Sequence, residues 1–267
     1  MIKYLVTSGC SFSDNIGQRW PYFLSEALSC RLYNRGQGSA GNQWISSSAI
    51  YQTQTLLEQG INPKKILVAV MWSGIDRKDC FIDSQLPNFK ELINTFNHQP
   101  NPLNFITTDF STKHPDFTKS ESGYLFGSAS CQFSQKAINK FKRELILKFF
   151  SDQALAIESY ENFLKLQWFC KSNNVKLINQ VYKELAYYPE KNKNVMLTKD
   201  RYKNVEHLHN MLDFKNWVFW KNSTGLFEYT TDNNLGFDTD GFHPNSASHK
   251  YYVDNYLIKE LHKRNII

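Results

Sequence analysis

A serine, an aspartate and a histidine are the residues of this sequence whose types and placement could do chemistry together. Ser11 lies in the stretch from Lys3 to Ser13, KYLVTSGCSFS, an apolar β-type run that breaks at Gly9. A serine where a strand turns into the next element projects its Oγ past the carboxyl edge of a sheet. The backbone N–H groups of such a turn face the same space, where they can hold an oxyanion. Near the other end, Asp240 and His243 stand three residues apart in a loop bounded by Gly241 and Pro244. That spacing lets a carboxylate reach one imidazole nitrogen and set its tautomer while the other nitrogen faces a serine. Taken singly, each stretch has a plainer explanation: a Gly/Ser-rich turn with Ser11 or Ser13 capping a helix, and an Asp-Gly turn with an incidental histidine. In the order Ser, Asp, His they supply a nucleophile and an acid–base pair.

The elements that would position these groups alternate strand, loop and helix. After the Ser11 turn, Trp20 to Leu28 has apolar residues at helical spacing, with Pro21 tolerated in a first turn. Cys30 to Asn34 is a short strand running into RGQGSAGN, Arg35 to Asn42, whose small residues let backbone approach a ligand closely. A helix then starts near Asn42 and continues through Trp44, Ile45, Ile50, Leu56 and Leu57 to Gly60. Lys65 to Met71, KILVAVM, is a continuous apolar run suited to a central parallel strand, and it ends at WSGIDR, Trp72 to Arg77. Asn174 to Tyr182 reads as another buried strand, and the chain closes with a helix through Tyr252, Tyr256, Leu257 and Leu261. Such alternation predicts a parallel sheet with right-handed crossovers, in which a ligand sits outside the carboxyl ends of the strands. Three loops, around Ser11, Gly38 to Asn42 and Ser73 to Arg77, would therefore converge on one rim.

Between these elements the pattern weakens. Residues from about Cys80 to Ser134 lose periodicity, are rich in Asn, Thr, Ser and Pro, and carry aromatics such as Phe105, Phe110, Phe117, Tyr124 and Phe126. A stretch this long reads as an active-site cap inserted into a single α/β domain. Lys136 to Phe150 and Ala154 to Cys170 read as two helical stretches. Residues 183–238 are less readable, and their aromatics, among them Trp217, Phe219, Trp220, Phe227 and Tyr229, are assigned to core packing.

The 267 residues suffice for one α/β domain with a sizeable core, and a hydrophobic fraction of 41% with 15% aromatics predicts a folded globular chain. The net charge of +6 is spread along helices and loops with no nucleic-acid motif, so it reads as a solvated face. The five cysteines are odd in number and widely spaced, which reads as reduced thiols. His207 and His209 with Glu206 and Asp213 lack a third well-placed ligand and read as surface chemistry. Neither a metal nor an organic cofactor is expected. With no signal-peptide pattern and no apolar run long enough to cross a bilayer, a soluble cytoplasmic protein is expected, without a membrane or nucleic-acid partner.

On four blocks in order, the chain resembles the SGNH hydrolases, or GDSL-type esterases: Gly9 to Ser11, Asn34 to Asn42, Trp72 to Arg77, and DGFH, Asp240 to His243. The resemblance implies a three-layer α/β/α fold with a flavodoxin-like parallel sheet, Ser11 as nucleophile, His243 as general base and Asp240 as its orienting partner. Cys10 replaces the Asp of the GDS triplet, which is not a reacting group. The second block implies a backbone N–H donor to the oxyanion, here Ser39 with Gly38 adjacent. The third block departs: the family's GxND asparagine is missing from Ser73 to Arg77. Asn42, Ser73 or Arg77 could donate in its place, whereas an ionised Asp76 cannot. For Asn42 the alternative role is a helix cap. Gly38 and Arg77 are further expected to contact substrate.

The activity expected from this resemblance is hydrolysis of an ester, removing acetyl or another small acyl group from a carbohydrate or a small molecule. An O-acyltransferase, and a non-catalytic glycan- or protein-binding module on the same fold, are the alternatives, and sequence leaves the oligomeric state open.

Overall fold

A computed structural model describes residues 1–14, 17–75, 77–82, 105–107, 123–128, 151–184, 205–221 and 224–267. Its main sheet has five parallel strands: β1 (Tyr4–Gly9), β2 (Arg31–Asn34), β3 (Ile66–Trp72), β7 (Lys176–Val181) and β8 (Trp217–Val218), in the spatial order β2-β1-β3-β7-β8. Numbered by their sequence in this sheet they run 2-1-3-4-5, the flavodoxin-like order, whose reversal point lies between β1 and β3. The register places Gly9 beside Met71 and Trp72 beside Val181, so β1, β3 and β7 end along one edge.

The continuous apolar composition of β3 has its cause in this position. All seven of its residues are buried, because helices cover both faces of the central strand. Strand alternation divides the core in two. Val6, Ile66, Val68, Val70, Trp72 and Leu177 face α2 (Asn42–Glu58) and α3 (Asp152–Ser172). Leu5, Leu67, Ala69, Met71, Ile178 and Val218 face α1 (Trp20–Ala27), α5 (Leu226–Asp232) and the C-terminal helices. The last of these, α6 (Ser246–Tyr252), runs through a π-helical turn, Val253–Leu257, into α7 (Ile258–Lys263). A short α4 (Glu206–Asn210) precedes β8. The fold is thus a three-layer α/β/α sandwich.

The structure adds elements in two stretches whose sequence pattern is weak, and corrects one expectation. The aromatic stretch around Trp217 contains an edge strand, β8, only two residues long; periodicity cannot register so short an element. The expected cap is not simply irregular: β4 (Arg77–Ile82), β5 (Phe105–Thr107) and β6 (Gly123–Ser128) form a separate antiparallel sheet in the order β4-β6-β5. The remainder of that cap, the helix expected over 136–150, and Asp76 lie outside the described residues. His209 is packed inward rather than displayed on the surface, with its Nδ1 3.1 Å from the Tyr160 hydroxyl and its ring 4.9 Å from that of Phe214. Among the described residues no helix is long and apolar enough to cross a membrane.

Candidate active site

Ser11 owes its placement to its neighbours. The chain leaves β1 at Gly9, where a side chain would overlap the Ser13 hydroxyl, and the Ser13 N–H closes a turn on the Cys10 carbonyl at 2.8 Å. Cys10, Phe12 and Ser13 are fully buried, which leaves Ser11 half-buried at the edge of the sheet. Ser13 serves the framework: its Oγ accepts from Trp20 Nε1 at 2.9 Å and its carbonyl from Asn34 Nδ2 at 2.7 Å. Asn34 Oδ1 in turn accepts from Thr7 Oγ1 and the Gly36 N–H, both at 2.9 Å, knitting the loop after β2 to the turn after β1.

The loop before α6 brings the other two residues to Ser11. Gly241 takes a left-handed φ of 69°, which costs glycine little and lets the chain fold back around Asp240. Asp240 Oδ1 accepts the Phe242 and His243 N–H groups, each at 2.9 Å, while Oδ2 bonds His243 Nδ1. His243 Nε2 lies 2.7 Å from Ser11 Oγ. Partial burial pushes the Asp240 carboxyl up, but the His243 side chain, the two amides and the imidazole charge outweigh it and hold it down to about 2. An ionised Asp240 can only accept, so Nδ1 carries the proton and Nε2 is left to accept from the serine hydroxyl.

Arg19 holds this loop in place, and nothing in the sequence singled it out. Its Nη1 donates to Asp238 Oδ2 at 3.0 Å and to the Pro244 carbonyl at 2.7 Å, gripping both flanks of the Asp240–His243 turn. Its Nε lies 3.9 Å from Asp14 Oδ1, which ties the grip to the Ser11 turn. Beneath it, His249 is fully buried and accepts the Trp20 N–H on Nδ1 at 3.3 Å. Burial, then the charges of Arg19 and His243, keep its pKa well below the ordinary value, so it packs as neutral imidazole.

The second loop is pinned to the first. Gln37 N–H donates to the Gly9 carbonyl at 2.9 Å, Asp14 and Gly36 form a parallel bridge, and a Cβ on Gly38 would sit 3.7 Å from the Asp14 carboxylate. Ser39 is exposed with a left-handed φ of 66°, and among the described residues no acceptor takes its N–H.

Asn42 and Ser73 do not stand where a side-chain oxyanion donor must. Asn42 is buried, its Oδ1 accepting the Ser73 N–H at 2.9 Å and its Nδ2 donating to the Ser73 carbonyl at 3.2 Å and to Ser159 Oγ at 3.0 Å. Both amide hydrogens are consumed. Nor is Asn42 the helix cap, because Gly41 is the N-cap residue of α2. Ser73 Oγ is sealed inside with no hydrogen-bond partner among the described residues. Arg77 is half-buried; it sends Nη1 to within 3.4 Å of the Ala40 carbonyl and lies 5.6 Å over the Tyr182 ring.

Aromatic rings link these groups. Phe12 packs 4.9 Å from Tyr182, 5.1 Å from His243 and 5.6 Å from Phe242, so Arg77, Tyr182 and His243 are joined in one chain of contacts through the buried Phe12 ring. Nothing in sequence spacing marks Phe12, Tyr182 or Phe242 as neighbours of the site.

No protein-family model matches the sequence, and no curated protein matches it. Among solved structures, the chain is similar to a member of the lipolytic protein G-D-S-L family from Veillonella parvula DSM 2008. The identity is 9% and the TM-score 0.40, over 96% of this chain and 98% of that one. It is also similar to a protein from Bacteroides fragilis NCTC 9343 described as a "putative acylhydrolase", with 10% identity and a TM-score of 0.37 over 98% of this chain and 88% of that one.

Proposed function

We propose that the chain is a serine esterase, an acylhydrolase with Ser11 as nucleophile. The observation that carries this is the His243 imidazole, bonded to Asp240 through Nδ1 and 2.7 Å from Ser11 Oγ through Nε2. His243 Nε2 takes the hydroxyl proton as Ser11 Oγ attacks the ester carbonyl carbon. The proton then passes to the departing alkoxide, which leaves as the alcohol. Water, deprotonated by the same nitrogen, attacks the acyl-serine and releases the acid. Asp240 stays ionised throughout and stabilises the imidazolium. The oxyanion is faced by the Ser11 and Ser39 N–H groups, with the Arg77 guanidinium in place of the family's asparagine.

A small acyl group, acetyl first, on a carbohydrate is the substrate we assign. Half-buried Tyr182 and Phe242 beside His243 offer apolar faces against which a sugar ring can lie. The 80–134 segment, which leaves the rim at Arg77, is assigned to cover the site and set selectivity.

Labelling with a fluorophosphonate tests the reading directly, since such a probe reacts with an activated serine. Wild type should be labelled and Ser11→Ala should not. A wild-type protein that resists the probe under conditions where it remains folded would exclude an activated Ser11 and leave only a binding module.

A further inference from the structure

The N-terminus of α2 has no cap of its own. Its N-cap residue is Gly41, which has no side chain to offer, and no acidic residue stands in the first turn. The N–H groups are instead taken by a residue from another element. Asp79 of β4 accepts the Gly41 N–H on Oδ1 at 2.7 Å and the Trp44 N–H on Oδ2 at 2.7 Å. Gly41 is what admits it, since a Cβ there would stand 2.7 Å from Oδ1 and 2.9 Å from Oδ2.

As a cap alone this is a costly arrangement. Asp79 is 2% exposed. Burial pushes its carboxyl up to about 6, against the Trp44 and Gly41 amides and Arg77, with the charge of Glu158 adding to the rise. A serine or asparagine at position 41 would cap the helix without burying a charge. What the distant carboxylate adds is a tether. The loop after β2 is fastened to β1 by the Gln37 N–H on the Gly9 carbonyl, and to β4 by Asp79 on Gly41. Ser39, with its left-handed φ, lies between the two fastenings. Among the described residues, the charged groups around the carboxylate are Arg77 and Lys78 on β4 and Glu158 on α3, the last paired with Lys78.

We propose that Asp79 is a positioning residue for ester cleavage: from β4 it fixes the far end of the 36–41 loop and so holds the Ser39 N–H toward the developing oxyanion. The proposal rests on the esterase reading above.

The test is steady-state hydrolysis of p-nitrophenyl acetate, with thermal melting, for wild type, Ser11→Ala, Asp79→Asn, Asp79→Ala and the double variant Asp79→Ala/Gly41→Ser. Asp79→Asn keeps the shape but loses one acceptor, and should lower kcat about 10–100-fold with KM within about twofold. The double variant restores a local cap without the tether, so its melting temperature should recover toward wild type while kcat stays low. Recovery of kcat together with the melting temperature would reduce Asp79 to a cap and overturn the proposal, as would an unchanged kcat in Asp79→Asn. Should Asp79→Ala and the double variant fail to fold, the kcat of Asp79→Asn decides. If wild type itself shows no Ser11-dependent hydrolysis, the esterase reading fails and the proposal with it. If wild type is active and only the Asp79 result is null, the esterase reading stands.

Discussion

The side chain of Asn42 and the backbone of Ser73 are paired twice, N–H to Oδ1 at 2.9 Å and Nδ2 to carbonyl at 3.2 Å, inside the protein. This pairing locks the start of α2 to the end of β3. Asn42→Ala leaves the Ser73 N–H and carbonyl buried without partners, at about 1–3 kcal/mol for each unsatisfied group. The expected result is a loss of about 2–6 kcal/mol in denaturant unfolding, with kcat falling only as far as the loops loosen. A large selective fall in kcat at unchanged stability would return Asn42 to the oxyanion site.

Ser11 and Ser13 should separate cleanly. Ser11→Ala removes a half-buried hydroxyl that no core group depends on, so ester turnover should be abolished with the melting temperature unchanged. Ser13→Ala strips the buried Trp20 Nε1 of its acceptor and should destabilise by about 1–3 kcal/mol while the folded fraction stays active. Kinetics and melting of the two variants, measured side by side, check this. The opposite pattern would make Ser13 the nucleophile.

Replacing Asp240 by Asn removes the anion that sets the His243 tautomer, and kcat should fall about 10²–10⁴-fold. The carboxylate also carries an acid-side signature. Its folded pKa of about 2 lies below the unfolded value of 3.8, so the stability it contributes is present above about pH 4 and lost as pH falls through about 2. With 47% of the side chain exposed, solvent screening keeps that contribution small. Acid titration of unfolding should show wild type losing more stability than Asp240→Asn below about pH 4.

Asp79 has the opposite sign. Its folded pKa, about 6, lies above the unfolded value of 3.8, so its contribution to stability is fully present below about pH 4 and is lost as pH rises through about 6. Glu184, raised to about 7 by burial and by Glu228, overlaps this window. The comparison that isolates Asp79 is therefore wild type against Asp79→Asn: the difference in unfolding free energy should change between about pH 4 and 6 and be flat above about pH 7. A pH-independent difference would mean that Asp79 keeps one protonation state throughout.

What could be read from sequence is what local pattern encodes. The all-apolar run of β3 announces a strand covered on both faces, and the Ser11 turn and the Asp240–His243 spacing are each legible as turns within a few residues, because the geometry that matters there is set by neighbouring dihedrals. The roles that tertiary structure decided belong to residues whose partners are remote. Sequence leaves Asn42 open as an oxyanion donor or a helix cap, whereas its partners are Ser73 and Ser159, 31 and 117 residues away. Asp79 caps a helix that begins 37 residues before it, and Arg19 grips a loop 219 residues on. The short β8 and the β4-β6-β5 sheet carry too little periodicity to be recognised. Buried polar groups must find partners wherever the packed fold brings donors and acceptors together. Such a requirement leaves a residue type in the sequence but no address, and only the folded chain supplies the address.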